Sequence, residues 1–153
     1  MKKIGLISDT HGLLRQEAIA NLKGCDLIIH AGDVGKREVL EELRNISNVF
    51  AVKGNCDKDE ELEDLPFSEI ININNTKIYI VHDIKTIDID LKREDINIVV
   101  YGHSHKYDKY EKNDILYINP GGAGRKRFKL PITMAILNIE SCSEYHVEFI
   151  NID

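Results

Sequence analysis

The chain has 153 residues, 42% of them hydrophobic and 30% charged, with a formal net charge of −6 at pH 7. That size and apolar content suit one core-bearing domain over residues 1–153, and no apolar run approaches the ~20 residues needed to span a bilayer. The acidic balance argues against strong nucleic-acid binding.

Met1-Lys2-Lys3 opens an apolar stretch that stops at Asp9, too short for a signal peptide. Cys25, Cys56 and Cys142 form no C-x-x-C pair, which points to a reduced, cytoplasmic protein. Lys3 to Ser8 reads as a buried strand, and Leu14, Ala18 and Leu22 follow at helical spacing. Leu27 to His30 is a second strand, Val39, Leu43 and Ile46 mark a second helix, and Val49 to Lys53 is a third strand. This β-α-β-α-β alternation predicts a parallel sheet. Lys58 to Pro66 is acidic and reads as a solvated loop. Beyond it, Glu69–Ile73 and Lys77–Val81 flank Asn74-Asn75-Thr76 as a hairpin, and Ile96 to Tyr101 is a buried strand. Two further hairpins are predicted, Tyr107–Lys112 with Ile115–Ile118, and Thr133–Ile139 with Tyr145–Ile150 around Ser141-Cys142-Ser143. Exposed strands in this second half leave a homodimer open.

Five segments that follow apolar runs carry metal-binding side chains: Asp9-Thr10-His11, Gly32-Asp33, Gly54-Asn55-Cys56-Asp57, His82, and Gly102-His103-Ser104-His105. Strand ends on one edge of an α/β sheet converge, so these donors can meet. Taken alone, Asp9 could cap a helix, Asn55 could serve a turn, and His82 could be structural. Together, Asp9, Asp33, Asn55, His11, His82, His103 and His105 are too many for one tetrahedral ion. They fit two ions sharing a carboxylate, the arrangement used in two-metal phosphoester hydrolysis. Oxygen and imidazole donors suit divalent transition metals. Mn is the first expectation, with Ni, Fe, Co and Zn as alternatives.

The order D-x-H, G-D, G-N-x-D, H, G-H-x-H resembles the calcineurin-like metallophosphoesterases. The G-N-C-D form, the short length and Asn119-Pro120-Gly121 are similar to the small single-domain phosphodiesterases of bacteria and archaea. The resemblance implies an α/β fold, a four-layer α/β/β/α sandwich of two mixed sheets flanked by helices. It implies a phosphoesterase acting on a small phosphoester, foremost a diester, through a hydroxide bridging two metals. One ligand set is then Asp9, His11, Asp33 and His105; the other is Asp33, Asn55, His82 and His103, with Asp33 bridging. Asp33, Asn55 and His82 carry the catalysis, and Asn55 also holds a phosphoryl oxygen. A phosphomonoesterase and an inactive scaffold of the same fold are the alternatives; the inactive form alters the bridging Asp and the Asn ligand, which this chain keeps.

The chain departs from the family at three places. Asp83 stands where Gly is usual and could orient an imidazole. Gly122 stands where Ser is frequent. Cys56 stands where larger relatives carry a His assigned as general acid, and it reads as a small buried packing residue, with Asp57 bracing the loop. His30 could support the ligands or be structural, Gly124 to Arg127 reads as a solvated basic turn, and His146 lies apart from the chemistry.

Overall fold

Strands with apolar side chains on both faces build two stacked sheets in the computed structural model, which describes residues 1–141 and 144–153. In chain order the elements are β1 (Lys2–Ile7), α1 (Gln16–Leu22), β2 (Leu27–His30), α2 (Arg37–Arg44) and β3 (Asn48–Ala51). They continue with β4 (Ser68–Ile73), β5 (Thr76–Val81), β6 (Ile98–Val100), β7 (Asp108–Lys112), β8 (Ile115–Asn119), β9 (Thr133–Ser141) and β10 (Glu144–Asn151).

The first sheet has the order β10-β9-β1-β2-β3, with β1, β2 and β3 parallel and β9 antiparallel to β1. The second has the order β4-β5-β6-β8-β7, with β5, β6 and β8 parallel and an antiparallel strand at each edge. Alternation decides which side chains meet. Ile4 and Leu6 of β1 join Ile78 and Ile80 of β5 and Ile98 and Val100 of β6 in the core between the sheets. Ile7 and Ile28 face the other way, onto Ala18 and Leu22 of α1 and Val39, Leu40 and Leu43 of α2. Each side chain of the size of Leu or Ile removed from water in this way contributes on the order of 1.5–3 kcal/mol.

The predicted hairpins around Asn74-Asn75 and Asn113-Asp114 are present. All four residues have positive φ, between 50° and 64°, which is the backbone of a two-residue turn that matches strand twist. The third hairpin pairs Ser141 with Glu144; Cys142 and Ser143 lie outside the described residues.

Several boundaries, the acidic connector and one outer layer differ in detail from the sequence reading. Helix α1 begins at Gln16, and Leu14 packs on the core from the preceding turn. Helix α2 ends at Arg44, short of Ile46, and β6 pairs only over Ile98–Val100. The acidic connector exposes its carboxylates, but Leu62 and Leu65 turn inward to the helix-side core around a 3₁₀ turn, Glu60–Leu62. The outer layer on the second sheet is formed between β5 and β6 by irregular chain with one 3₁₀ turn, Ile84–Thr86. Its Ile84, Ile87, Ile89 and Leu91 cover Tyr79, Val81 and Val99. No helix among the described residues is long and apolar enough to cross a membrane.

Candidate metal centre

All five polar segments leave the C-terminal ends of parallel strands: β1, β2 and β3 in one sheet, β5 and β6 in the other. Stacking the sheets brings these ends to one edge. Five of the seven donor residues hold left-handed backbone there: Asp9 (φ 54°), His11 (46°), Asp33 (56°), His103 (76°) and His105 (64°). Such a conformation costs a non-glycine residue roughly 1–2 kcal/mol and persists where surrounding contacts enforce it. Here the loops are stitched together. Asp9 N–H donates to Gly32 O at 3.0 Å, His11 N–H to Asp33 O at 2.9 Å, and Gly102 N–H to His82 O at 3.0 Å. Gly32 has φ +102°, and a Cβ there would sit 2.6 Å from His82 Nδ1. Only glycine lets these two loops approach so closely.

The donor atoms converge on two overlapping clusters. Asp9 Oδ1 lies 3.4 Å from His105 Nε2, 3.8 Å from His82 Nε2 and 3.9 Å from His11 Nε2. Asp33 Oδ2 lies 3.2 Å from His82 Nε2 and 3.6 Å from His11 Nε2. Asn55 Oδ1 sits 3.0 Å from His82 Nε2 and 3.2 Å from His103 Nδ1. Donor atoms of Asp9, His11 and His105 lie together, those of Asp9, Asp33 and His82 form a second group, and Asn55 stands between His82 and His103.

The chemistry of this donor set calls for cations. Asp9 is fully buried, and its Oδ1 has no hydrogen-bond partner, a state that costs free energy unless a positive charge compensates it. His82 is more specific. Its Nδ1 lies 2.7 Å from Ala31 O, which accepts a proton, so Nδ1 carries the hydrogen. In the neutral ring Nε2 is then a lone pair, yet it faces the oxygens of Asn55 and Asp33. A cation there, a proton or a metal ion, relieves this juxtaposition of acceptors. Burial disfavours charge on His82, but the Asp33 hydrogen bond and the charges of Asp9 and Asp33 outweigh it and raise its pKa. Burial likewise works against the Asp33 carboxylate, yet donation from His82 and the Cys56 N–H carries its pKa down to about 2. Asp9 goes the other way, pushed above the usual carboxylate range by burial.

A set of supporting groups fixes the donors. Ser8 Oγ–H donates to Asp9 Oδ2 at 2.7 Å, and His103 N–H donates to the same oxygen at 3.1 Å. The Cys56 N–H donates to Asp33 Oδ1 at 2.8 Å. Asp57 accepts from Val34, Gly35 and Gly54 N–H at 3.1, 3.0 and 2.9 Å, so it braces the loop and ties it to the turn that carries Asp33. Asn119 donates to Gly102 O and Ser104 Oγ, each at 3.1 Å, and accepts from Gly121 N–H, holding the loop of His103 and His105 from behind. His30 is structural support: its ring takes the Gly32 N–H at 3.1 Å and meets Thr10 Oγ1 at 3.0 Å, and burial drives its pKa down to about 3. Ser8 and Thr10 carry no signal of these roles in the sequence.

Two readings of single residues change. Cys56 is exposed rather than buried: its N–H serves Asp33, and its Sγ lies within 4.8 Å of donor atoms of His11 and Asp33. Its thiol pKa is raised by local desolvation and by the carboxylates of Asp33, Asp57 and Asp9. Asp83 Oδ2 stands 3.9 Å from His103 Nε2, beyond hydrogen-bond reach; its side chain instead accepts from Lys85 N–H to cap the 3₁₀ turn. Gly122 packs against the His105 ring, where a Cβ would lie 2.8 Å from Nδ1, so a larger residue would displace that imidazole.

Comparison with known proteins agrees with this geometry. Residues 1–142 match the family model of the calcineurin-like phosphoesterase superfamily domain. A probable metallophosphoesterase of Methanocaldococcus jannaschii is 34% identical over 146 residues, covering 87% of this chain and 74% of the relative. A phosphodiesterase of the same organism is 31% identical over 156 residues, covering 90% of this chain and 93% of the relative. Among solved structures, an archaeal phosphodiesterase superposes with a TM-score of 0.76 at 28% identity, over 97% of this chain and 99% of its own. Vacuolar protein sorting 29 of Cryptosporidium parvum shares the fold, with a TM-score of 0.78 at 23% identity over 97% and 96% of the two chains. The chain belongs to the calcineurin-like phosphoesterase superfamily.

Proposed function

We propose that this chain is a phosphodiesterase, with Asp9, His11, Asp33 and His105 holding one divalent ion and Asp33, Asn55, His82 and His103 a second. The observation that carries the reading is the buried Asp9 Oδ1, which lacks a partner while three imidazole nitrogens stand 3.4–3.9 Å away. Mn fits this mixture of carboxylate and imidazole donors, and Ni, Fe, Co or Zn could replace it. When bound, such ions lower the pKa of coordinated water toward ~7 and neutralise charge on phosphoryl oxygens.

The residues supply the rest. Asp33, touching both clusters, balances the charge between them. Asn55 turns Oδ1 toward the histidines, and its Nδ2, whose partner is Cys56 Sγ at a distance of 3.5 Å, stays exposed to donate to a phosphoryl oxygen. The leaving group receives little help. Cys56, at the position of the acid in larger relatives, keeps its proton too tightly to act as an efficient donor.

Retention of Asp33 and Asn55 favours an active enzyme over an inactive scaffold of this fold. A cytoplasmic setting, weak nucleic-acid binding and a homodimer complete the reading; the net charge of −6 opposes polyanionic surfaces. The test compares bis(p-nitrophenyl) phosphate with p-nitrophenyl phosphate, before and after chelation and Mn addition. Diester hydrolysis that exceeds monoester hydrolysis, stops on chelation and returns with Mn is expected. A faster monoester, or a rate indifferent to chelator, would refute the proposal.

A further inference from the structure

Beside Asn55 and His82 a cleft of about 420 Å³ runs outward from the donor cluster, within the size range of small-molecule sites. One wall is Phe67 with Lys53, the floor is Tyr79 and Val81, and the far rim carries Thr86 and Asp88. Tyr79 and Val81 are buried, so the floor is fixed. Phe67 is 75% exposed, yet it is held in place. Lys53 N–H donates to Pro66 O at 2.7 Å, Lys53 Nζ donates to Glu63 O at 3.2 Å, and Nζ lies 5.3 Å from the Phe67 ring centroid. A cation near an aromatic face favours that arrangement and holds the ring beside the cleft it lines.

We propose that this cleft seats the aromatic base of a nucleoside phosphodiester, with the base packed against Phe67. The inference rests on the phosphodiesterase reading and names its substrate class. A phosphoryl group at the Asn55–His82 end has the apolar lining of this cleft within reach of its ester substituent. An aromatic wall above an apolar floor accepts a flat group, and every base offers a π face for stacking. Asp88 and Thr86 at the far rim offer acceptors to an amino edge of a base. Asp83 and Asp88 also line the cleft, against the single cation of Lys53, and disfavour a further phosphate there.

Calorimetry on the Mn-loaded protein with adenosine 5′-monophosphate and ribose 5-phosphate tests this, since the two ligands share the phosphate and sugar and differ in the base. The wild-type protein is expected to bind the adenosine compound about tenfold or more tightly. Phe67→Ala should erase that advantage while leaving ribose 5-phosphate affinity unchanged, and Phe67→Trp should keep it. The exposure of Phe67 makes both variants compatible with the fold, and melting curves check this. Equal affinities in the wild type, or an advantage that survives Phe67→Ala, would overturn the subsite while metal-dependent diester hydrolysis stands. Absence of diester hydrolysis together with no binding of ribose 5-phosphate would remove the phosphodiesterase reading and the subsite with it.

Discussion

Replacing Asp57 by Asn should unseat the Asp33 carboxylate, which would be shared by the two proposed ions, without touching a donor. The Asp57 carboxylate is buried and accepts three backbone N–H groups, from Val34 and Gly54 on Oδ2 and from Gly35 on Oδ1. It is the tie between the turn carrying Asp33 and the turn carrying Asn55. In Asp57→Asn one oxygen can still serve Val34 and Gly54, but an NH₂ then opposes the Gly35 N–H. A hydrogen bond to a charged group contributes about 1.5–3 kcal/mol, and leaving a buried donor unmatched costs about 1–3 kcal/mol. A loss of roughly 3 kcal/mol follows, which for a domain of this length lowers Tm by about 6–12 °C. Thermal unfolding followed by circular dichroism in chelator isolates this effect from metal binding, with the exposed Asp59→Asn as control. Mn affinity should fall alongside, because the Cys56 N–H and Asn55 move with the loop. A Tm within about 2 °C of wild type would refute the assigned role.

Asp9→Asn should separate stability from function. It removes a buried charge whose pKa is raised by desolvation, so the chelated variant should melt at or about 2–4 °C above wild type, while the Tm gain on adding Mn shrinks; a chelated variant that melts well below wild type contradicts this. Gly32→Ala places a Cβ against the His82 ring at φ +102°. It should lose stability by about 1–3 kcal/mol and most hydrolysis; unchanged denaturation midpoint and rate would show that the loop can yield. Cys56→Ala should leave aryl diester hydrolysis within about twofold, and log rate should fall steeply with leaving-group pKa in both proteins. A flat plot for wild type that turns steep in Cys56→Ala would identify a proton donor there.

Much of the fold was legible because alternation in the strands is strong. Lys77 to Val81 is apolar at every second and every intervening position except the lysine, and both faces are indeed covered. The segment between β5 and β6 was not legible, since Ile87, Ile89 and Leu91 alternate with Asp88 and Asp90 at strand period although the chain there pairs with no strand. Leu62 and Leu65 were masked by the carboxylates around them. At the site, residue types pointed to the donors, but two features are invisible in a sequence. Left-handed backbone at five donors is imposed by contacts between loops distant in the chain. The exposure of Cys56 is likewise set by the loop, whose Cys56 N–H is recruited by Asp33 while the exposed thiol stands near His11 and Asp33.

Metal stoichiometry measured on wild type and Asp33→Ala in parallel tests the central proposal most directly. Elemental analysis after Mn loading and removal of excess metal should give two ions per wild-type chain. Asp33→Ala should lose both together, because its carboxylate is shared between the clusters around His11 and His82. Saturation of wild type at one ion with full diester hydrolysis, or an Asp33→Ala chain that retains one tight ion and its activity, would contradict the bridged two-metal centre.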